Sequence, residues 1–317
     1  MTHPFRLSPG RLAAAIMCAC ALGMATPEAR AQGDGPRAYA AVPEGTNVFS
    51  VYGQFLRGNT LLDTSQVIRG GDIDIDVAVL FYAHPISPFG RSGGLFVVQP
   101  MGAVSGSLQL LNGVRTGSSN GLGDTQLGAV VNLVGLKSVP VEEFIKLKPG
   151  FMLGALAKVT LPTGSYDSDR LLNLGANRTQ VWVGLPFGWN IGKSYLDPHL
   201  TSIEVVPQLV FSGDNTDAAG SAQTLEQAPM LRVETHIIRN LNRAVWVSAD
   251  IGGILGGETT SDGVANDNTQ KALTLGGTVN VMLSRHFGIK TTYGQVVARD
   301  DGGPDGSMFR VIGSVFF

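Results

Sequence analysis

Apolar and polar positions alternate with a period of two over much of this chain. The clearest stretch is Asp72-Ile73-Asp74-Ile75-Asp76-Val77, followed by Val79 and Phe81, where three carboxylates fall on one side and aliphatic residues on the other. Only an extended strand sorts them so cleanly, because a helix would smear the charges around its cylinder. Thr179, Val181, Val183, Leu185, Phe187, Trp189 and Ile191 repeat the pattern against Arg178, Gln180 and Gly184. From Lys271 to Leu283 it recurs, with Leu273, Leu275, Val279, Val281 and Leu283 facing away from Thr274, Thr278, Asn280 and Ser284. These are two-faced strands.

Segments of this kind lie near 46–57, 72–84, 93–107, 121–134, 148–162, 177–192, 203–212, 227–239, 243–254, 270–283, 286–299 and 306–317. Twelve is an even number, as closure of an antiparallel barrel requires. The connections alternate as well. Those after the eighth and tenth segments are tight (Asn240-Leu241-Asn242 and Ser284-Arg285), while those after the seventh, ninth and eleventh are long or rich in Gly and Asp. Short turns on one side and long loops on the other predict an all-β fold, an antiparallel transmembrane outer-membrane barrel spanning 46–317. A short segment, 32–45, precedes it, and both termini are expected on the periplasmic side. One connection departs: Val141 to Leu147 reads as one or two amphipathic helical turns at the periplasmic rim. Trp189, Phe287 and Phe317 are expected near that interface, where rings favour the headgroup level. The ending, with Phe309, Val311, Val315 and Phe317 on one face, resembles the signal read by the barrel-assembly machinery.

The first thirty-one residues differ in composition. Arg6 and Arg11 open them, Leu12 to Ala25 is an apolar run, and Ala29-Arg30-Ala31 is a small-x-small site. This predicts a cleaved signal peptide over 1–31, export through the periplasm to the outer membrane of a Gram-negative cell, and Gln32 as the new first residue. Cys18 and Cys20, the two cysteines of the chain, fall in that leader, which removes disulfide and thiolate-metal readings. The remainder carries a small negative net charge and no basic patch, so nucleic acid is excluded as a partner. It has no apolar run of about 18 residues and cannot cross a bilayer as helices. A water-soluble sandwich or barrel also alternates, but its apolar face would have to fit inside. Here that face is continuous over many strands and nearly free of charge, as lipid contact requires.

From Gly35-Pro36-Arg37-Ala38-Tyr39 onward the chain carries a family likeness, in five stretches: Pro43-Glu44-Gly45-Thr46-Asn47, Gly121-Leu122-Gly123-Asp124, Asn132-Leu133-Val134-Gly135, Leu161-Pro162-Thr163-Gly164-Ser165-Tyr166-Asp167 and Asn173-Leu174-Gly175-Ala176-Asn177-Arg178. In order and spacing they resemble the MetA-pathway of phenol degradation family of outer-membrane transporter barrels. The resemblance implies an outer-membrane protein associated with aromatic compounds, and it brings no catalytic residues. The chain has Thr179 where relatives are expected to carry an aromatic after the Asn-Arg pair.

On a strand, Asp72, Asp74 and Asp76 are spaced about 7 Å apart, which predicts a charged row along the lumen wall. They are no calcium loop, since Val77 and Ala83 stand where an EF-hand needs Gly and Glu. With odd positions outward on strands four to twelve, the lumen is expected to receive Asp124, Lys158, Arg178, Glu204, Arg232, Glu234, Asp250, Lys290 and Arg310, together with Gln126, Asn132, Gln180, Gln208 and His236. A turn centred on Leu241 would set Arg232 across from Asp250 and Glu234 across from Ser248. His236 and Ser248 are the one Ser-His combination on neighbouring strands, yet both face inward, away from any lipid substrate. Gly121-Leu122-Gly123 precedes a strand and is no phosphate loop. No His pair has metal-ligand spacing. The expectation is therefore a channel passing a small solute, which the family resemblance implies is aromatic, with no enzyme activity, metal or cofactor. Its alternative is a barrel with a sealed lumen whose loops contact partners. Outer-membrane lipids are the expected surroundings of either.

Overall fold

A computed structural model describes residues 33–40, 42–62, 67–110, 113–220 and 222–317. The leader expected over 1–31 lies outside the described residues. Alternation translates into twelve antiparallel staves. In chain order they are β1 (Val48–Gly58), β2 (Gly71–Ile86), β3 (Gly93–Leu110), β4 (Gly113–Leu122, resumed as Thr125–Val134), β5 (Phe151–Leu161), β6 (Gln180–Gly184, resumed as Phe187–Ile191), β7 (Thr201–Ser212), β8 (Met230–Asn240), β9 (Val245–Gly256), β10 (Gln270–Met282), β11 (Phe287–Arg299) and β12 (Gly306–Phe316). Each pairs with the next, and β12 pairs with β1 from Phe316 opposite Val48 to Gly306 opposite Gly58, so the barrel closes.

Two staves are interrupted. Pro186 has no amide hydrogen to give, and β6 breaks at Leu185-Pro186, yet both halves still pair with β5 and β7. β4 breaks at Gly123-Asp124; its first half pairs with the far end of β3, and its second half with both β3 and β5. The β3–β4 hairpin thus begins well before the stretch expected near 121, because Gly113 to Asn120, polar on both faces, forms strand rather than loop. No apolar alternation marks it.

Outward-facing Phe49, Val51, Phe55, Leu80, Leu127, Val181, Val183, Leu209, Ile237, Leu273, Leu275, Ile289 and Val311 form an exposed apolar belt. Among the described residues no helix is long and apolar enough to cross a membrane, and the strands carry that face instead. Below the belt lie the tight turns 241–244 and 283–286, the one-turn helix α1 (Val141–Phe144), Trp189, Phe287 and Phe317. At the other end the long loops knit together. Leu225–Gln227, Thr259–Ser261 and Val264–Ala265 build a small three-stranded sheet, and the Asn215 amide donates to Tyr166 Oη at 2.9 Å.

The turn joining β8 to β9 is four residues long. Asn242 Oδ1 accepts from the Ala244 and Val245 amides, which holds the turn closed. It therefore centres later than Leu241, and the register expected from the sequence is corrected: Asp250 stands opposite His236, Arg232 opposite Ile254 and Glu234 opposite Gly252.

Candidate functional site

The barrel interior has two chemically different halves. At the loop end, Ile73, Ile75, Val77 and Val79 of β2 point inward with Leu56, Val104 and Met308, and the loop residues Leu172 and Leu174 are buried against them. Leu61, Leu62 and Ile68 of the β1–β2 loop pack on the same cluster. This inverts the sequence expectation for Asp72, Asp74 and Asp76, which face outward. Arg57 reaches across from β1, with Nε 3.1 Å from Asp74 and Nη1 2.6 Å from Asp76. The physical reason is height. At and past the loop-side edge of the apolar belt the outside is water, where carboxylates belong, while the inside is filled by loop leucines and takes the isoleucines.

Towards the termini the interior is polar and aromatic, and residues 33–40 lie inside it. Gly33-Asp34-Gly35 is shaped to a carboxylate. The consecutive amides of Asp34 and Gly35 each donate to Glu234 at 3.0 Å, and Gly35 has φ +88°. A Cβ on Gly33 would stand 2.2 Å from Glu234 Oε2. Asp34 takes two hydrogen bonds from Lys158 Nζ at 2.9 and 3.0 Å, one from Tyr39 Oη at 2.6 Å and one from Gln208 Nε2 at 3.0 Å. Burial pushes the Asp34 carboxyl up, but Lys158 and these donors outweigh it and bring it down to about 2. Arg37 donates its amide to Glu204 at 2.8 Å and its guanidinium to Asn240 at 2.8 Å, 4.8 Å over the Trp246 ring.

Lys158, Glu204, Glu234, Lys290 and Arg310, all named from the sequence, thus converge on this segment. The others serve elsewhere. Asp124, at the β4 break, accepts from the Gly164 and Ala176 amides at 2.8 Å each and pins the β5–β6 loop. Arg178 is buried where that loop enters β6. Arg232 lies 5.6 Å over the Trp182 ring, whose other visitor is Lys158 at 4.5 Å. Asp250 accepts from Ser248 at 2.8 Å and Thr278 at 2.6 Å and contacts His236 Nδ1 at 2.8 Å. Ser248 therefore gives its hydrogen bond to a carboxylate and not to His236, so these residues do not form a nucleophile-base pair. No group of three His, Cys, Asp or Glu side chains among the described residues is placed to hold a metal ion.

A chamber of about 600 Å³ occupies this half. It reaches from Leu62 and Leu174, which close it at the loop end, to Arg243 and Phe316 at the terminal rim. Tyr52, Phe81 and Phe96 wall one side as a run of stacked rings, with centroids 6.1 and 5.9 Å apart, and Trp182 and Trp246 stand on the other. Sequence reading missed Asp34, Arg37, Tyr39 and these rings. Parity could have found Trp182, which shares the even positions of Arg178 and Gln180; nothing in residues 33–40 signals a segment bound inside a barrel.

The family described as "Putative MetA-pathway of phenol degradation" matches residues 58–307. The chain belongs to this family. A crystal structure of an outer membrane channel from Pseudomonas putida F1 is similar to this family member with a TM-score of 0.72 and 22% identity, covering 89% of this chain and 99% of that one. The transport unit of the autotransporter AIDA-I from Escherichia coli aligns with a TM-score of 0.48 and 8% identity over 99% and 100% of the two chains. At 22% identity the likeness to the Pseudomonas channel is one of fold. No curated protein matches the chain.

Proposed function

We propose that the protein is an outer-membrane channel that takes up a small, amphipathic, aromatic solute, in keeping with the phenol degradation named in its family's description. The observation that carries this reading is the ring-walled chamber inside a closed barrel, reaching to the terminal rim and of a size for ligands of one or two rings. Asp124, Lys158, Arg178, Glu204, Arg232, Glu234, Asp250, Lys290 and Arg310 line or brace the solute's route, and residues 33–40 lie across it. Export follows cleavage after Ala31, with the assembly machinery and outer-membrane lipids as the surroundings. The test is uptake of phenol by a deletion strain, with single-channel conductance of the purified protein beside it. Uptake falls on deletion and returns with the wild-type gene; unchanged uptake together with zero conductance overturns the reading.

A second reading rests on the leucine plug and the cross-linked loops: a sealed barrel whose loops bind a partner. It predicts that same zero conductance, and no phenotype in solute uptake.

A further inference from the structure

Lys290 and Arg310 are diagonal neighbours on the inward face, since Lys290 stands opposite Ile312 and Arg310 opposite Thr292. Both line the chamber. Their hydrogen bonds end on neutral oxygens: Arg310 Nε donates to Gln54 Oε1 at 2.7 Å and Nη1 to the Gly33 carbonyl at 3.1 Å, while Lys290 Nζ donates to the Pro36 carbonyl at 3.2 Å. The surrounding carboxylates hold other donors: Glu204 takes the Arg37 amide, and Asp250 takes Ser248 and Thr278 and contacts His236. Asp34 is held by Lys158, Tyr39 and Gln208, and Glu234 by two backbone amides. Two adjacent cations in a sheltered wall repel one another and favour an anion between them.

The aromatic run starts at the same place. Arg310 Cζ is 5.9 Å from the Tyr52 ring centroid, and from there the rings pass to Phe81, then Phe96, with Tyr39 a further 6.4 Å from Phe96. A cationic pair thus stands at the head of an aromatic rail, within the span of one substituted benzene ring.

We propose that the chamber contains a subsite for an aromatic carboxylate, its carboxylate on Lys290 and Arg310 and its ring against Tyr52 and Phe81. This rests on the channel reading and adds to it a preference for anions. The carbonyls of Gly33 and Pro36 are neutral acceptors, and a carboxylate making charge-assisted bonds displaces them. A neutral phenol offers the two cations no charge-assisted bond, and an aromatic amine is repelled.

The experiment is calorimetric titration of the purified, full barrel with benzoate, benzyl alcohol, benzylammonium and acetate, alongside solute flux in liposomes. Benzoate should bind at least tenfold more tightly than benzyl alcohol, and benzylammonium and acetate more weakly than either. Lys290→Gln and Arg310→Gln should each weaken benzoate tenfold or more and leave benzyl alcohol within twofold; Lys290→Arg, which keeps the charge, should retain benzoate binding and shows that a loss in Lys290→Gln is not misfolding. Equal affinity for benzoate and benzyl alcohol, no binding of any probe, or parallel loss of both in Lys290→Gln overturns the subsite. If flux persists in those cases the channel reading survives; if flux is absent too, both fall.

Discussion

Asp34→Ala should release residues 33–40 from the barrel interior. The Lys158 side chain is 3% exposed and that of Asp34 27%, so the mutation strands an almost fully desolvated ammonium whose remaining neighbour is the Trp182 ring at 4.5 Å. Removing one partner of a buried pair costs about 3–5 kcal/mol, and the exposure of Asp34 puts this case at the lower end, about 3 kcal/mol. Because undocking lets water reach Lys158, most of that cost falls on the docked state. It shifts the docked-to-undocked ratio roughly 150-fold. Pro36 is buried, so Pro36→Cys in a Cys18→Ser, Cys20→Ser background reports release through its rate of maleimide labelling. Adding Asp34→Ala should raise that rate about a hundredfold. Lys158→Met should raise it less, because Asp34 keeps Tyr39 and Gln208 as donors. Labelling that changes less than threefold in Asp34→Ala, or more in Lys158→Met than in Asp34→Ala, refutes the reasoning.

Ile75→Ala should lower denaturant stability by about 2–5 kcal/mol, whereas Asp74→Ala, on the solvated face, stays within about 1 kcal/mol; the reverse order would restore the inward placement of the aspartates. Asp250→Ala strips His236, Ser248 and Thr278 of a shared acceptor and should cost about 2–3 kcal/mol in thermal or chemical unfolding, against about 1 for Ser248→Ala. The Asp34 carboxyl sits below its usual value, so its contribution is complete above the unfolded value near 3.8 and is lost as pH falls through about 2. Maleimide is therefore replaced by a pH-tolerant thiol reagent, and Pro36→Cys protection should be level from pH 8 to 5; a release midway, near pH 6, would assign the docking to another group. Unboiled protein should migrate faster than boiled protein on a denaturing gel, and equal migration would contradict a closed barrel.

The staves were readable because lipid on one side and a lumen on the other impose a period of two, and the odd positions of β6, such as Val181 and Val183, are outward as that rule requires. β2 exposes the rule's weakness. Asp72 to Val77 alternates perfectly, but alternation does not say which face is in, and the apolar face was matched to lipid although the strand at that height stands in water. The β8–β9 register failed on turn length, which Asn242 sets through two short-range hydrogen bonds and no periodicity reveals. The segment around Asp34 was invisible for a different reason: its partners lie some 124 to 277 positions away in sequence.

The leucines that stopper the barrel also constrain how it can be built. Leu172 and Leu174 come from between β5 and β6, yet the surface they cover belongs to β1 and β2, and Met308 completes it from the last stave. A chain lacking either part therefore leaves a bare aliphatic inner wall facing water. The stopper and the seam between first and last staves thus share one surface, and only the closed cylinder has every part of it covered.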